Sequence, residues 1–116
     1  MKKQTEKVIQ VALVRWVREE FGGTVTVSKS GNENSQRHLK EGVDVGEPDL
    51  WIYDTRGMLR LELKTLTGKL QDSQIDWNEW FDARTWEVGG KPWMTRAVAY
   101  GFKEAREIIT KWQQRP

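Results

Sequence analysis

The chain has no cysteine and a single histidine, His38. Disulfides and thiolate metal sites are therefore excluded, and a cytoplasmic setting is the expectation. Neither a histidine-rich metal centre nor a His–Ser or His–Cys catalytic pair can be assembled. No apolar run approaches the roughly 20 residues that span a bilayer. Lys2 and Lys3 are followed by no apolar signal region, so no membrane partner is expected. Gly89-Gly90 lacks the spacing of a Walker or dinucleotide loop, and no small-molecule organic cofactor is expected. Internal repeats and low-complexity tracts are missing as well.

What remains is ordinary for a small globular protein. A length of 116 residues supports one domain, 1–116, with one core. Charged residues make up 31% and hydrophobic ones 37%, which excludes a disordered chain. The net charge of +2 suits a phosphate polymer without arguing for one. Seven tryptophans are many for this length. Most belong in a core or interface, and one or two have the chemistry to stack on bases or wedge a junction.

Val8, Ile9, Ala12, Leu13, Trp16, Val17 and Phe21 recur at helical spacing, predicting a helix from Gln4 to Phe21 that Gly22-Gly23 ends. A strand is expected over Thr24–Ser28, a polar loop over Ser30–Ser35, and a short helix over Gln36–Glu41. Strands over Asp49–Tyr53 and Met58–Lys64 flank the turn Asp54-Thr55-Arg56-Gly57. A helix follows from Asp72 to Arg84, then a loop from Trp86 to Trp93, a strand over Thr95–Tyr100 and a helix over Phe102–Gln113. The order implies an α/β fold, a mixed sheet with helices on both sides.

The hairpin concentrates the chemistry. With the turn centred between Thr55 and Arg56, Asp49 falls opposite Glu62, and a bulge at Gly57 would shift the pairing by about one residue. Leu59, Leu61 and Leu63 line one face of the second strand. Arg60, Glu62 and Lys64 line the other, with Asp49 and Trp51. Facing carboxylates whose Cβ atoms lie roughly 5 Å apart repel unless a cation sits between them, and Mg²⁺ takes such oxygen ligands. Lys64 is placed to reach an attacking water or a scissile phosphate. On a plain alternating hairpin the same three residues would be solvated charges.

Gln74 lies three and seven residues before Trp77 and Phe81, on a stripe completed by the stem of Arg84. It either caps the helix start or supplies an amide that fixes Lys64 or the attacking water. Glu6 precedes Ile9, Leu13 and Val17 on an inward face. It is either a first-turn acid favoured by the helix dipole or the holder of a second metal or a metal-bound water. Arg37, His38, Lys40, Lys69 and Lys91 fall in loops near the carboxylate edge, as surface charges or as contacts to a DNA backbone.

Together, Gly46-Glu47-Pro48-Asp49-Leu50, Glu62-Leu63-Lys64-Thr65 and Gly68-Lys69-Leu70-Gln71-Asp72-Ser73-Gln74 resemble the VRR-NUC domain. This is a branch of the PD-(D/E)xK nuclease superfamily, with small stand-alone phage and bacterial members. The resemblance covers about Glu6 to Val98. It implies a restriction-endonuclease-like αβββαβ core, dependence on Mg²⁺ or Mn²⁺, and cleavage of branched or flapped DNA. A homodimeric Holliday-junction resolvase in a bacterial cytoplasm is the function it favours. A flap or nicking endonuclease, or an inactive DNA-binding module, are the alternatives. By position, Asp49 and Glu62 match the metal-binding acids, Lys64 the catalytic lysine, Gln74 the following helix's glutamine and Glu6 the first helix's acid. The Leu63 carbonyl would be a further metal ligand. The Trp86–Trp93 segment is longer than the family usually has, and it and the last helix with Trp112 are candidate dimer surfaces.

Overall fold

The structure, a computed structural model, describes residues 5–29 and 48–116. The predicted 30–35 loop and 36–41 helix lie outside the described residues. So do Arg37, His38 and Lys40, three of the expected DNA contacts.

Helix α1 (Glu6–Phe21) starts where the Thr5 hydroxyl accepts a hydrogen bond from the Val8 N–H at 3.2 Å, satisfying one of the orphan donors of a helix N-terminus. Strand β1 (Thr26–Lys29) follows, two residues later than the predicted start. The strands β2 (Leu50–Asp54) and β3 (Gly57–Lys64) pair antiparallel through Leu50↔Leu61 and Asp54↔Gly57. No bulge displaces the register. Asp54 Oδ1 holds the turn by accepting from the Arg56 N–H at 2.8 Å and the Gly57 N–H at 3.1 Å. Helix α2 (Asp72–Asp82) is two residues shorter than predicted. Arg84 lies beyond it and is exposed, donating to the Trp80 carbonyl, so its stem is not part of the inner stripe.

The segment predicted as a loop is a small hairpin, β4 (Glu87–Val88) and β5 (Lys91–Pro92). Gly89 and Gly90 form its turn, with φ of 62° and 78°; consecutive positive φ values are what a two-residue type I′ turn demands. Strand β6 (Met94–Tyr100) then pairs parallel to β3, and α3 (Phe102–Gln113) closes the described chain. The main sheet is mixed, in the order β1-β2-β3-β6. With three helices among the described residues, the fold is mixed α/β. No described helix is long and apolar enough to cross a membrane.

Ile9, Leu13 and Val17 of α1 and Ala105, Ile109 and Trp112 of α3 share one core with Ile52, Leu59, Leu61, Leu63 and Ala99 of the sheet. Trp112 is 8% exposed and spent on that core, so it does not offer the dimer surface considered for it. Trp77 and Phe81 of α2 pack with Trp80, Trp86 and Trp93 in a chain of aromatic contacts, with ring centroids 4.9 to 6.4 Å apart. Covered in this way, β3 is buried along Leu59–Lys64 without alternation.

Candidate active site

Charged residues on an exposed strand would stay hydrated, and here they do not. Arg60, Glu62 and Lys64 are 3%, 3% and 5% exposed. Burying ionised groups costs several kcal/mol each unless partners compensate, so each must be accounted for by its neighbours.

Asp49 immediately precedes β2, and its Oδ2 accepts from the Leu63 N–H at 2.9 Å. That bond fixes the carboxylate beside the end of β3. In an antiparallel ladder, a residue's N–H and C=O face the same neighbouring strand. The Leu63 carbonyl therefore also faces the Asp49 side. The register, extended two residues, puts Pro48 opposite Leu63, and proline has no N–H to give. The neighbouring Lys64 carbonyl points the other way and accepts from the Gly101 N–H at 2.9 Å. Asp49, Glu62 and the Leu63 carbonyl thus gather at one corner.

Glu62 Oε1 accepts from the Gln74 Nε2 amide at 2.5 Å. The other Gln74 amide atom, Oε1, accepts from the Gln71 N–H at 2.8 Å. The capping reading of Gln74 holds, and its amide nitrogen is bonded to Glu62 rather than to Lys64, the partner expected from the sequence. Glu62 Oε2 is buried with no hydrogen-bond partner among the described residues. Burial, then the Asp49 carboxyl beside it, push the Glu62 pKa up to about 10, only partly offset by the Lys64 charge.

Lys64 Nζ lies 3.8 Å from Glu6 Oε1. Glu6 thus reaches the site from the first turn of α1, although half of its side chain is exposed. Among the described residues, no group of three or more acids and histidines forms a ready cage for a metal. The geometry brings Glu6 to the lysine; the paired acids are Asp49 and Glu62. Lys69 and Lys91 are exposed, Lys91 on the small hairpin, and neither has a described bond to the site.

Arg60 was read only as part of the polar face. Its guanidinium stacks over the Trp51 ring at 3.5 Å and lies 5.6 Å from that of Trp77. Cation–π contacts of this kind are worth up to about 2 kcal/mol when desolvated. The signal was present in the strand alternation, which sets Arg60 on the face of Glu62 and Lys64.

An orphaned, buried carboxylate oxygen beside a second carboxylate is a poor arrangement for protein alone and a fitting one for a divalent cation. Hard oxygen donors are what Mg²⁺ and Mn²⁺ take. No protein-family model matches the chain, and neither a curated protein nor a solved structure matches it.

Proposed function

We propose that the protein is a divalent-metal-dependent endonuclease that hydrolyses phosphodiesters in branched DNA, acting on four-way junctions as a homodimer. The observation that carries this reading is the buried Glu62 carboxyl held against that of Asp49, with Lys64 two residues away on the same face. The described elements also run helix, three strands, helix, strand, with the small hairpin inserted before the last strand. That is the order implied by the VRR-NUC resemblance and its restriction-endonuclease-like core.

Asp49, Glu62 and the Leu63 carbonyl would hold Mg²⁺, with Mn²⁺ as a substitute. When bound, the cation lowers the pKa of a water and offsets charge building on the phosphate. The protein groups supply the rest. Gln74 and the Leu63 N–H keep the two carboxylates aimed at one point, a positioning role that costs no reorganisation during reaction. The Lys64 ammonium, buried and without competing bulk water, orients the attacking water or neutralises a phosphate oxygen as the P–O bond to the leaving strand breaks. Glu6 holds that ammonium in place. Resolving a junction symmetrically needs two cuts, and a two-fold dimer supplies two sites.

A labelled four-way junction, a flap and a linear duplex are incubated with Mg²⁺ and with the wild type, Asp49→Ala or Lys64→Ala protein. Cleavage by the wild type alone is expected, fastest on the junction. Cleavage that survives either substitution removes the proposal, and a preference for flaps moves the substrate assignment. Light scattering checks the dimer.

A further inference from the structure

Lys7, Arg15 and Arg18 fall on one face of α1, because eight and then three residues separate them at about 100° per residue. All three are exposed, and none has a side-chain hydrogen bond or ion pair among the described residues. Together with Lys29 on the edge strand β1 they border a groove of about 600 Å³ between helix and strand. Gln10 and Ser28 add hydrogen-bonding groups, and none of the described residues that line it is acidic. Glu19, one turn from Arg15, does not line the groove but borders, with Lys7 and Arg15, a neighbouring hollow on the Phe102 side of the helix. The sequence reading looked for phosphate contacts in loops, of which Arg37, His38 and Lys40 lie outside the described residues; this helix adds three exposed cations along one face.

The groove has a direction. Lys7 follows Glu6, whose carboxylate meets Lys64, so the Lys7 end adjoins the candidate active site and the Arg18 end leads away from it. At about 1.5 Å per residue the track from Lys7 to Arg18 is about 16 Å long. That equals roughly five steps of duplex at about 3.4 Å per step on each strand.

We infer that the α1–β1 groove binds a nucleic-acid backbone through Lys7, Arg15 and Arg18 and leads it to the Asp49–Glu62–Lys64 corner. The choice of nucleic acid over another polyanion rests on the phosphodiesterase reading. Contacts of this kind position a substrate without reading its bases, so they set affinity and salt sensitivity but not sequence preference.

The test is fluorescence anisotropy with a labelled linear duplex and a labelled four-way junction, in EDTA so that no hydrolysis runs, over a salt series. Each lost phosphate contact lowers the slope of log K against log salt by about 0.9 on duplex. The Arg15→Gln/Arg18→Gln pair should therefore lower it by about 1.8, and Lys7→Gln by about half as much. Duplex and junction should weaken alike. The control pair Lys103→Gln/Lys111→Gln, on α3 and outside the groove, should keep the wild-type slope. Circular dichroism melts confirm that the variants fold. An unchanged slope in the Arg15/Arg18 variant, or an equal drop in the control, overturns the inference. So does a variant that sediments as a monomer where the wild type is a dimer while its slope stays put, since the groove is then a contact between copies. Wild-type binding through the groove without Mg²⁺-dependent cleavage would leave the track standing and remove the nuclease reading. Cleavage by a double variant with the wild-type slope would do the reverse.

Discussion

Gln74 joins the start of α2 to Glu62 by dividing one amide between two tasks: its oxygen accepts from the Gln71 N–H and its nitrogen donates to the Glu62 carboxylate. Loss of a capping side chain typically costs about 1 kcal/mol, and a buried partner left unsatisfied costs about 1–3 kcal/mol more. Gln74→Ala is expected to lose about 2 kcal/mol of unfolding free energy in urea and to slow cleavage. Gln74→Glu keeps an oxygen for the cap but sets another carboxylate against Glu62. Without divalent cation it should be no more stable than Gln74→Ala, and Mn²⁺ should separate the two. Wild-type stability in Gln74→Ala would refute both tasks.

Glu62 gives the protein a pH signature. Its folded pKa is raised from an ordinary 4.5 to about 10. The unfolded chain therefore releases its proton first. Stability linked to neutral Glu62 is complete below about 4.5 and is lost as pH climbs through about 10. On the proposed metal-dependent reading a cation takes the proton's place, so its stabilising effect grows with pH. At a hundredfold excess over Kd the gain is about 2.7 kcal/mol. Melting scans at mildly acid and mildly alkaline pH, with and without Mn²⁺, check this. Asp49→Asn should flatten the dependence, and a Mn²⁺ shift equal at both pH values would contradict it.

The tip of the β2–β3 hairpin is clasped to the end of α3. Asp54 receives both Arg115 guanidinium nitrogens, at 2.8 and 3.2 Å, and one from Arg56 at 3.1 Å. Arg56 also donates to the Gln113 and Arg115 carbonyls at 2.7 Å each. Burial acts to raise the Asp54 pKa, but these bonds outweigh it and the net shift is downward from 3.8. The ionic contribution is thus present above the ordinary carboxylate range and disappears as pH falls through the lowered folded value. Asp54→Asn retains Oδ1 for the turn N–H groups. It should be about 1–3 kcal/mol less stable than wild type at neutral pH, with the gap closing in strong acid. Urea titrations at both pH values measure it.

Gly57 leaves no room for a side chain. A Cβ there would sit 2.3 Å from the Trp93 carbonyl oxygen, which already accepts from the Met58 N–H. Gly57→Ala must push β3 and the base of the small hairpin apart. A loss of about 2–3 kcal/mol is expected, as for overpacked cores, with a blue-to-red change in tryptophan emission as Trp93 is uncovered. A variant as stable as wild type would show that this junction yields freely.

Much of this was readable because it is local. The turn Asp54–Gly57 set the register, and the register put Asp49 beside Glu62. The stripe of Ile9, Leu13 and Val17 gave α1 its buried face. What escaped depends on contacts distant in sequence. Arg60 meets Trp77 on the next helix as well as its cross-strand neighbour Trp51, and the Asp54 clasp comes from Arg115, sixty-one residues on. Glu6 was expected on the inward face but is half exposed at its edge, and its partner Lys64 is visible only once α1 lies across the sheet. The Trp86–Trp93 hairpin was missed although Gly89-Gly90 is a hairpin signal, since two-residue strands carry too little alternation to register.

That β3 is covered above and below has a dynamic corollary. Local openings of a domain begin where backbone is exposed and reach the enclosed elements last. Amide protons of Leu61, Glu62 and Leu63 should therefore exchange with deuterium only at the rate of global unfolding, while those of β4 and β5 exchange quickly. On the proposed nuclease reading, the Asp49–Glu62–Lys64 corner is thus assembled before DNA arrives, and whatever adapts to the shape of a branch must do so at the periphery.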